Sequence, residues 1–260
     1  MIQSVDRAVR ILVALQGART MSLGEIAGAL DLPPSTVHGI VRTLVAHGMV
    51  TQESDTGRYR LGPATLRLGN VYLDTLELRT RVAAWAEDLA RRTGCAVRTG
   101  VLLLADVLVV HHEPRPDGTR QMPEVGIEIP AHASALGKAL LAFTPDAEDA
   151  VLSDPRVRRS MTGETVTDPA ALRAQLRRVR ETGLAEEVEE AVLGECAVAA
   201  VLGGTNGEVV GAVGLVVPTT EWPLPASSVD ALRAAARAVS RELGATVWPP
   251  PAPTSLDASA

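Results

Sequence analysis

Small and hydrogen-bonding side chains occupy one side of a predicted helix from Pro34 to His47. Such side chains let a helix backbone come close to another surface and leave donors and acceptors free to bond with it. The major groove of double-stranded DNA is one such surface, because it admits a helix and presents hydrogen-bonding base edges. The predicted DNA-contacting residues of this helix are Ser35, Thr36, His38, Gly39, Arg42 and Thr43.

An apolar stripe on the opposite side of the same segment predicts that it is helical. Its residues lie at i, i+3, i+4 and i+7, which is the spacing of a helix face that packs on a core. They are Val37, Ile40, Val41 and Leu44. Pro34 suits the first position of a helix, where its missing N–H costs nothing.

Two shorter helices are predicted ahead of this one. Residues 4–16 have helical apolar spacing with Ser4 available as N-cap, and Ser22 and Glu25 have the spacing of a capping box before residues 23–30. Two short helices, a tight turn and a third helix with a small polar outer face indicate a helix-turn-helix.

A β-hairpin is predicted directly after the third helix, with strands at residues 49–53 and 58–61 around a turn at residues 54–57. In this position a hairpin is a wing. Arg58 and Arg60 share one strand face and suit phosphate contacts, which fix register on DNA more than they specify sequence. The alternative is a solvated face, but the position after a helix-turn-helix favours contact.

A longer helix is predicted from Gly62 and Pro63 to Gly94. Apolar residues recur along it at alternating steps of three and four, as a helix that packs against a second helix requires. They are Leu68, Val71, Leu78, Val82, Trp85 and Leu89, with Thr75 at one step. We interpret this helix as a dimer linker, and burial against its own chain is the alternative.

The C-terminal part alternates predicted hairpins and helices. Strand-rich runs surround residues 105–106 and 203–207. Within residues 131–141 a loop of small residues is predicted to lead into a helix, and further helices are predicted at residues 169–182 and 229–243. This order indicates an α+β domain with an antiparallel sheet. The predicted domains are residues 1–62 for the winged helix-turn-helix, 63–80 for the linker and 81–248 for the C-terminal domain, with a disordered tail at 249–260.

The composition restricts the class of protein. Apolar residues make up 46% of the 260 residues but aromatic ones only 2%, which leaves few platforms for stacking single-stranded bases. The net charge of -6 is unevenly distributed, because residues 1–62 carry +1. No apolar run approaches the about 20 residues that span a bilayer, and no signal peptide is recognisable. We therefore expect a cytoplasmic protein with no membrane partner and no cofactor.

Neither the histidines nor the cysteines form a convincing reactive site. His111 and His112 are adjacent on a predicted strand and so face opposite ways, which argues against a shared metal ion with Glu113 or His132. An enzyme would use Cys196 as a redox thiol or nucleophile, but its neighbours are Glu195 and apolar residues, which do not favour a thiolate. We expect no catalytic residue and no metal site.

Several motifs in order resemble the IclR family of bacterial transcriptional regulators over nearly the whole chain. These motifs lie at residues 4–8, 32–44, 59–62, 132–141, 183–185 and 207–218. The resemblance implies a winged helix-turn-helix joined by a linker helix to a GAF-like effector domain. It also implies a homodimer or dimer of dimers on a palindromic DNA operator, with a small-molecule effector in the C-terminal domain.

The recognition helix departs from the family pattern at one position. Family members usually carry Arg where this chain has Gly39, at a helix-propensity cost of about 1 kcal/mol relative to Ala. The resemblance therefore implies that one DNA contact is missing and that Arg42 carries more of the binding.

The implied effector site also departs from the pattern. Aligning the last strands with the family puts Glu187, Ala197, Gly214 and Val216 at the pocket positions, beside a loop with Ala135 and Leu136. Cys196 is one residue away from the family's pocket cysteine, and a shift of one in a strand turns a side chain to the other face. The implied pocket is wider and more apolar, and we expect an effector larger or less acidic than glyoxylate or pyruvate. The effector class is an organic acid or a larger apolar metabolite.

The mechanism expected from these features is allosteric, with the effector altering the linker helices and so the spacing of two recognition helices. An alternative is a small-molecule sensor whose helix-turn-helix contacts only protein.

Overall fold

The computed structural model describes residues 2–118 and 121–252. The chain divides between Thr75 and Leu76 into two compact units. The elements of the N-terminal unit are α1 (Gln3–Ala18), α2 (Leu23–Leu30), α3 (Pro34–Ala46), β1 (Val50–Gln52), β2 (Tyr59–Leu61) and α4 (Pro63–Thr75). Strands β1 and β2 pair antiparallel, so the predicted helix-turn-helix with a wing is confirmed.

Local sequence signals explain how α2 and α3 begin. The Ser22 hydroxyl accepts a hydrogen bond from the Glu25 backbone N–H, and the Ser22 N–H donates to the Glu25 carboxylate at 2.6 Å. This capping box satisfies two N–H groups that the first turn of α2 would leave unpaired. Pro34 occupies the first turn of α3 as predicted. The two helices pack with α1 around a core of Ile11, Leu15, Ile26, Ala27, Val37, Val41, Val50 and Tyr59.

Helix α1 begins earlier than predicted and carries two apolar faces. Ser4 lies inside the helix, and the N-cap is Ile2, which has extended backbone and gives no side-chain cap. One face buries Ile11 and Leu15. The other leaves three valines about half exposed, namely Val5, Val9 and Val13.

The predicted continuous helix from Pro63 to Gly94 is two helices, which corrects that prediction. Leu76 has ψ of 98°, an extended value that ends α4 and begins α5 (Glu77–Thr93). Thr75 bonds its hydroxyl to the Tyr72 carbonyl at 2.7 Å, a local bond that competes with helix continuation. The apolar seam also divides here, because Leu68 and Val71 are exposed whereas Leu78, Val82 and Leu89 are buried.

The C-terminal unit is built on one six-stranded sheet. Besides α5, its elements are β3 (Ala96–Leu103), β4 (Asp106–Glu113), β5 (Glu128–Pro130), α6 (Ala135–Leu141), α7 (Pro145–Ser153), α8 (Pro169–Thr182), β6 (Leu184–Val188), β7 (Glu195–Gly203), β8 (Val209–Pro218) and α9 (Ala226–Glu242). The strand order is β5-β4-β3-β8-β7-β6, and every neighbouring pair is antiparallel. The predicted α+β class with an antiparallel sheet is therefore confirmed.

Helices cover the two faces of this sheet. Helices α6 and α8 pack on the face that includes Ala197, Ala199 and Val216. Helices α5 and α9 pack on each other and on the strands, and Trp85 donates its indole N–H to Glu242 at 3.0 Å. Successive side chains of β7 point to opposite faces of the sheet. Because helices cover both faces, every residue of β7 after Glu195 is buried.

The predicted disordered tail differs from the structure at its first residues. Pro250 is buried. Its ring packs so close to Gly203 of β7 that a Cβ added to this glycine would lie 3.1 Å from it. Trp248, just before the tail, donates its indole N–H to the Val201 carbonyl at 2.8 Å. Residues 253–260 lie outside the described part of the chain. Within residues 2–118 and 121–252, no helix combines the length and apolar character needed to cross a membrane.

Candidate functional site

The predicted DNA-contacting face of α3 is exposed in the N-terminal unit. Ser35, His38, Gly39, Arg42 and Thr43 are exposed and Thr36 is half-buried. Arg42 makes no hydrogen bond or ion pair within residues 2–118 and 121–252. Its guanidinium is therefore available to a ligand outside the chain, and guanidinium groups bind phosphates or guanine bidentately.

Gly39 and Thr43 form a local pair on this face. The Thr43 hydroxyl donates to the Gly39 carbonyl at 3.1 Å, which leaves its oxygen as an acceptor only. A Cβ added at Gly39 would meet nothing within 4 Å. Packing inside the chain therefore does not require glycine here, and any requirement comes from what binds this face.

The two wing arginines differ in their surroundings. Arg58 donates to the Thr20 carbonyl at 3.1 Å and lies 2.8 Å from the Glu25 carboxylate, so it braces the wing against the start of α2. Arg60 is 58% exposed and lies 3.9 Å from Glu53. The predicted contact of both with phosphate stays a prediction, and Arg60 is the freer of the two.

A cavity of about 340 Å³ lies on the α6 side of the sheet in the C-terminal unit. It brings together all the residues that the family resemblance implied for an effector site, namely Ala135, Leu136, Glu187, Ala197, Gly214 and Val216. They come from α6 and from the three consecutive strands β6, β7 and β8, which α7 and α8 separate from α6 in sequence. The structure therefore places these residues around one space.

Sheet register explains why Ala197 rather than Cys196 lines this cavity. Ala197 pairs with Val216 and Glu187, whereas Cys196 pairs with Val217 and Val188. Cys196 therefore faces the other side, where it is fully buried and its Sγ lies 3.8 Å from the Thr219 hydroxyl. Burial raises the pKa of the Cys196 thiol, which disfavours the thiolate that redox or nucleophilic chemistry needs.

The predicted loop at Ala135 and Leu136 is instead the first turn of α6, which corrects that prediction. Ser134 caps this turn by accepting a hydrogen bond from the Gly137 N–H at 3.1 Å. A Cβ on Gly137 would lie 2.2 Å from the Ala131 backbone, so only glycine allows this close approach. The tight turn brings the Ala135 N–H to the cavity wall.

Glu187 is the buried acidic group of the cavity. One carboxylate oxygen accepts the Ala135 N–H and the other accepts the Ala191 N–H, each at 3.3 Å. Burial raises the pKa of Glu187 to about 7, although both backbone hydrogen bonds lower it. Glu187 therefore exchanges a proton near neutral pH, and each oxygen keeps a lone pair for a ligand.

Sequence reasoning did not find four further charged residues of the cavity wall, which are Arg98, Glu124, Glu128 and Glu195. Arg98 on β3 bonds Glu124, which precedes β5, and Glu195 at the start of β7. Its Nη2 donates to one oxygen of each carboxylate at 2.9 Å. Glu195 is 97 positions from Arg98, and no local spacing signals a pair at that distance.

The histidines are arranged as their strand positions predict. His111 pairs with Thr99 and His112 with Arg98 across β3 and β4, so their side chains lie on opposite faces. The Nε2 atom of His132 lies 3.0 Å from the Arg159 carbonyl, and burial lowers the pKa of all three imidazoles. Over the described ranges, no group of His, Cys, Asp and Glu side chains could hold a metal ion.

Comparison with known proteins decides the family. Residues 70–241 match the family described as bacterial transcriptional regulator IclR C-terminal, and residues 4–54 match the IclR helix-turn-helix domain. The chain belongs to the IclR family. It is accordingly a transcriptional regulator with a DNA-binding helix-turn-helix and a C-terminal effector domain, rather than an enzyme.

Relatives of this IclR-family chain cover almost its full length. It is 45% identical to a glycerol operon regulatory protein of Streptomyces griseus over 94% of this chain and 97% of that protein. The crystal structure of an IclR regulator from Silicibacter sp. TM1040 has a TM-score of 0.82 at 28% identity, covering 96% and 100%. An IclR homologue from Microbacterium hydrocarbonoxydans, crystallised with 4-hydroxybenzoate, has a TM-score of 0.78 at 27% identity, covering 93% and 99%.

Proposed function

We propose that this IclR-family regulator reads a palindromic DNA operator and responds to a small molecule bound in the cavity of about 340 Å³. The observation that carries the proposal is the convergence on this cavity of all six residues implied for an effector site. The exposed polar face of α3 supports the DNA-reading part, because its Arg42 bonds no residue of the part of the chain that the structure describes. Such a regulator acts in the cytoplasm, where its DNA is.

We propose that the chain works as a homodimer or a dimer of dimers. The N-terminal unit leaves apolar side chains exposed on two helices, a pattern typical of a protein interface. They are Val5, Val9 and Val13 on α1, and Leu66, Leu68 and Val71 on α4. A second copy of the chain is the partner that a palindromic operator requires, because protein symmetry then matches DNA symmetry.

We propose an effector that is larger or less acidic than pyruvate. The wall has neither a cysteine thiol nor a hydroxyl at the three positions held by Ala197, Gly214 and Val216. Because the relative from Streptomyces griseus is named a glycerol operon regulatory protein, glycerol and its derivatives are the first compounds to test. The gene target proposed on the same basis is an operon for the use of a small polyol.

The test is fluorescence anisotropy of the purified chain with labelled DNA from its own upstream region, at several salt concentrations. We expect log K to fall linearly with log salt, as counterion release requires, and an added effector to change the affinity. Salt-independent or undetectable binding to that DNA would instead favour the alternative of a sensor whose helix-turn-helix contacts protein. Binding unaffected by every compound that enters the cavity would overturn the effector role.

A further inference from the structure

Arg98 is the only cation among the described residues that line the cavity. The carboxylates of Glu124 and Glu195 each bind Arg98 in a bidentate manner. Nε and Nη2 of Arg98 donate to Glu124, and Nη1 and Nη2 donate to Glu195. A guanidinium has five N–H groups, so one on Nη1 is left. The side chain is only 12% exposed, which keeps water from weakening these bonds.

The other charged side chains of the wall are acidic. Glu128 and Glu187 line the same cavity, and Glu128 makes no ion pair within the described ranges. The four carboxyl groups therefore outnumber the single guanidinium. An anion entering this space would meet net negative charge, and to bind Arg98 through more than the one N–H left on Nη1 it would have to displace Glu124 or Glu195.

We propose that the ion pairs of Arg98 with Glu124 and Glu195 act as a selectivity filter that excludes anions and restricts the effector to uncharged alcohols or polyols. This inference rests on the proposed effector role of the cavity. The filter removes the one positive charge that a carboxylate or phosphate would need, and it does so with residues outside the set aligned with the family pocket.

The free hydrogen-bonding groups of the wall specify what the ligand must offer. When ionised, Glu187 retains acceptor capacity after receiving two backbone N–H groups, and when protonated it also offers an O–H donor. The exposed carboxylate of Glu128 is an acceptor. The complementary ligand is a hydrogen-bond donor without negative charge, and a hydroxyl group meets both conditions. Apolar side chains complete the wall, including Ile129, Leu136, Met161 and Val216, and they suit the carbon skeleton of an alcohol.

The experiment is isothermal titration calorimetry with matched pairs of an alcohol and its anionic counterpart. The panel includes glycerol with glycerol 3-phosphate, and 4-hydroxybenzyl alcohol with 4-hydroxybenzoate. We expect the wild-type chain to bind the uncharged member of a pair at least about tenfold more tightly. Glu124→Gln and Glu195→Gln each remove one of the two carboxylates that hold Arg98 and weaken the hold on two of its N–H groups. Each is therefore expected to reduce that preference about tenfold by strengthening anion binding.

Glu128→Gln is the matched control, because it removes one negative charge from the same wall without releasing Arg98. This variant is expected to change the preference for the uncharged ligand less than Glu124→Gln or Glu195→Gln does. Circular dichroism checks that all variants fold. A wild-type preference for the anion would overturn the filter, and so would a preference unchanged in both variants, while the effector role would stand. Absence of binding by the whole panel to every variant would overturn the effector role and the filter with it, whereas DNA binding would still test the N-terminal unit separately.

Discussion

The recognition face of α3 and the cavity of the C-terminal unit are organised in opposite ways. The recognition face gathers its residues within 35–43, and all of them except the half-buried Thr36 are exposed. The cavity gathers residues from Arg98 to Val216, and three of its charged groups, Arg98, Glu124 and Glu195, bond one another. The first surface is therefore set by helical periodicity and the second by strand register and long-range ion pairs.

This difference has an energetic consequence. On α3, Arg42 can be exchanged without disturbing a partner among the described residues, so its variants report on binding. In the cavity, Arg98 is held by two carboxylates, so a variant at any of the three changes the other two as well.

Arg42→Ala is expected to weaken operator binding about a hundredfold or more, because it removes the one unpaired cation among the predicted contact residues of α3. The measurement is anisotropy or gel shift with operator DNA. Arg67→Ala, which removes the same charge from the exposed surface of α4, is the control. Equal losses in the two variants would mean that net charge rather than the α3 face governs binding.

Glu187→Gln is expected to change how stability depends on pH. The folded state raises the pKa of Glu187 from 4.5 to about 7, so between these values folded molecules hold a proton that unfolded ones release. This group therefore contributes most stability below about pH 4.5 and loses that contribution as pH rises to about 7. Relative to wild type, the variant should gain on the order of 3 kcal/mol across this window.

Denaturant unfolding at several pH values measures this gain. Glu186→Gln changes the neighbouring, exposed residue of β6 and serves as the charge-matched control. If the difference between Glu187→Gln and wild type is the same at all pH values, Glu187 is not a buried titrating group in solution.

Gly39→Ala is expected to stabilise the N-terminal unit by about 1 kcal/mol, because alanine has the better helix propensity and the added Cβ meets nothing. Thermal unfolding measures this effect. If the DNA backbone approaches Gly39 closely, the same variant binds the operator more weakly despite its greater stability. A stabilised variant with unchanged affinity would show that this position is not at the contact.

Much of the N-terminal unit could be predicted because its signals are local. The capping box of Ser22 and Glu25 involves residues three positions apart, and the proline at the start of α3 acts on its own turn. The break at Leu76 was missed because no proline or glycine marks it. An apolar seam looks the same whether one helix or two helices carry it.

The cavity was predictable only in part. Once the family motifs aligned β7 and β8, the alternation of strand side chains placed Ala197 inside and Cys196 outside, as the register shows. The partners of Arg98 could not be predicted, because a single arginine on a strand has no sequence-local signal for carboxylates 26 and 97 positions away. The shifted pKa of Glu187 likewise follows from burial that its own sequence neighbours do not indicate.

The sequence by itself indicated the family, most of the order of the elements, the polar face of α3 and six of the residues that line the cavity. These features depend on periodicity, on turn chemistry and on motif register, all of which act over a few residues. The tertiary structure alone decided that Arg98 is already paired, that Arg58 braces α2, that Pro250 is buried and that Glu187 holds a proton near neutral pH. Each of these depends on which distant segments the fold brings into contact, and electrostatic and burial energies act through space rather than along the chain.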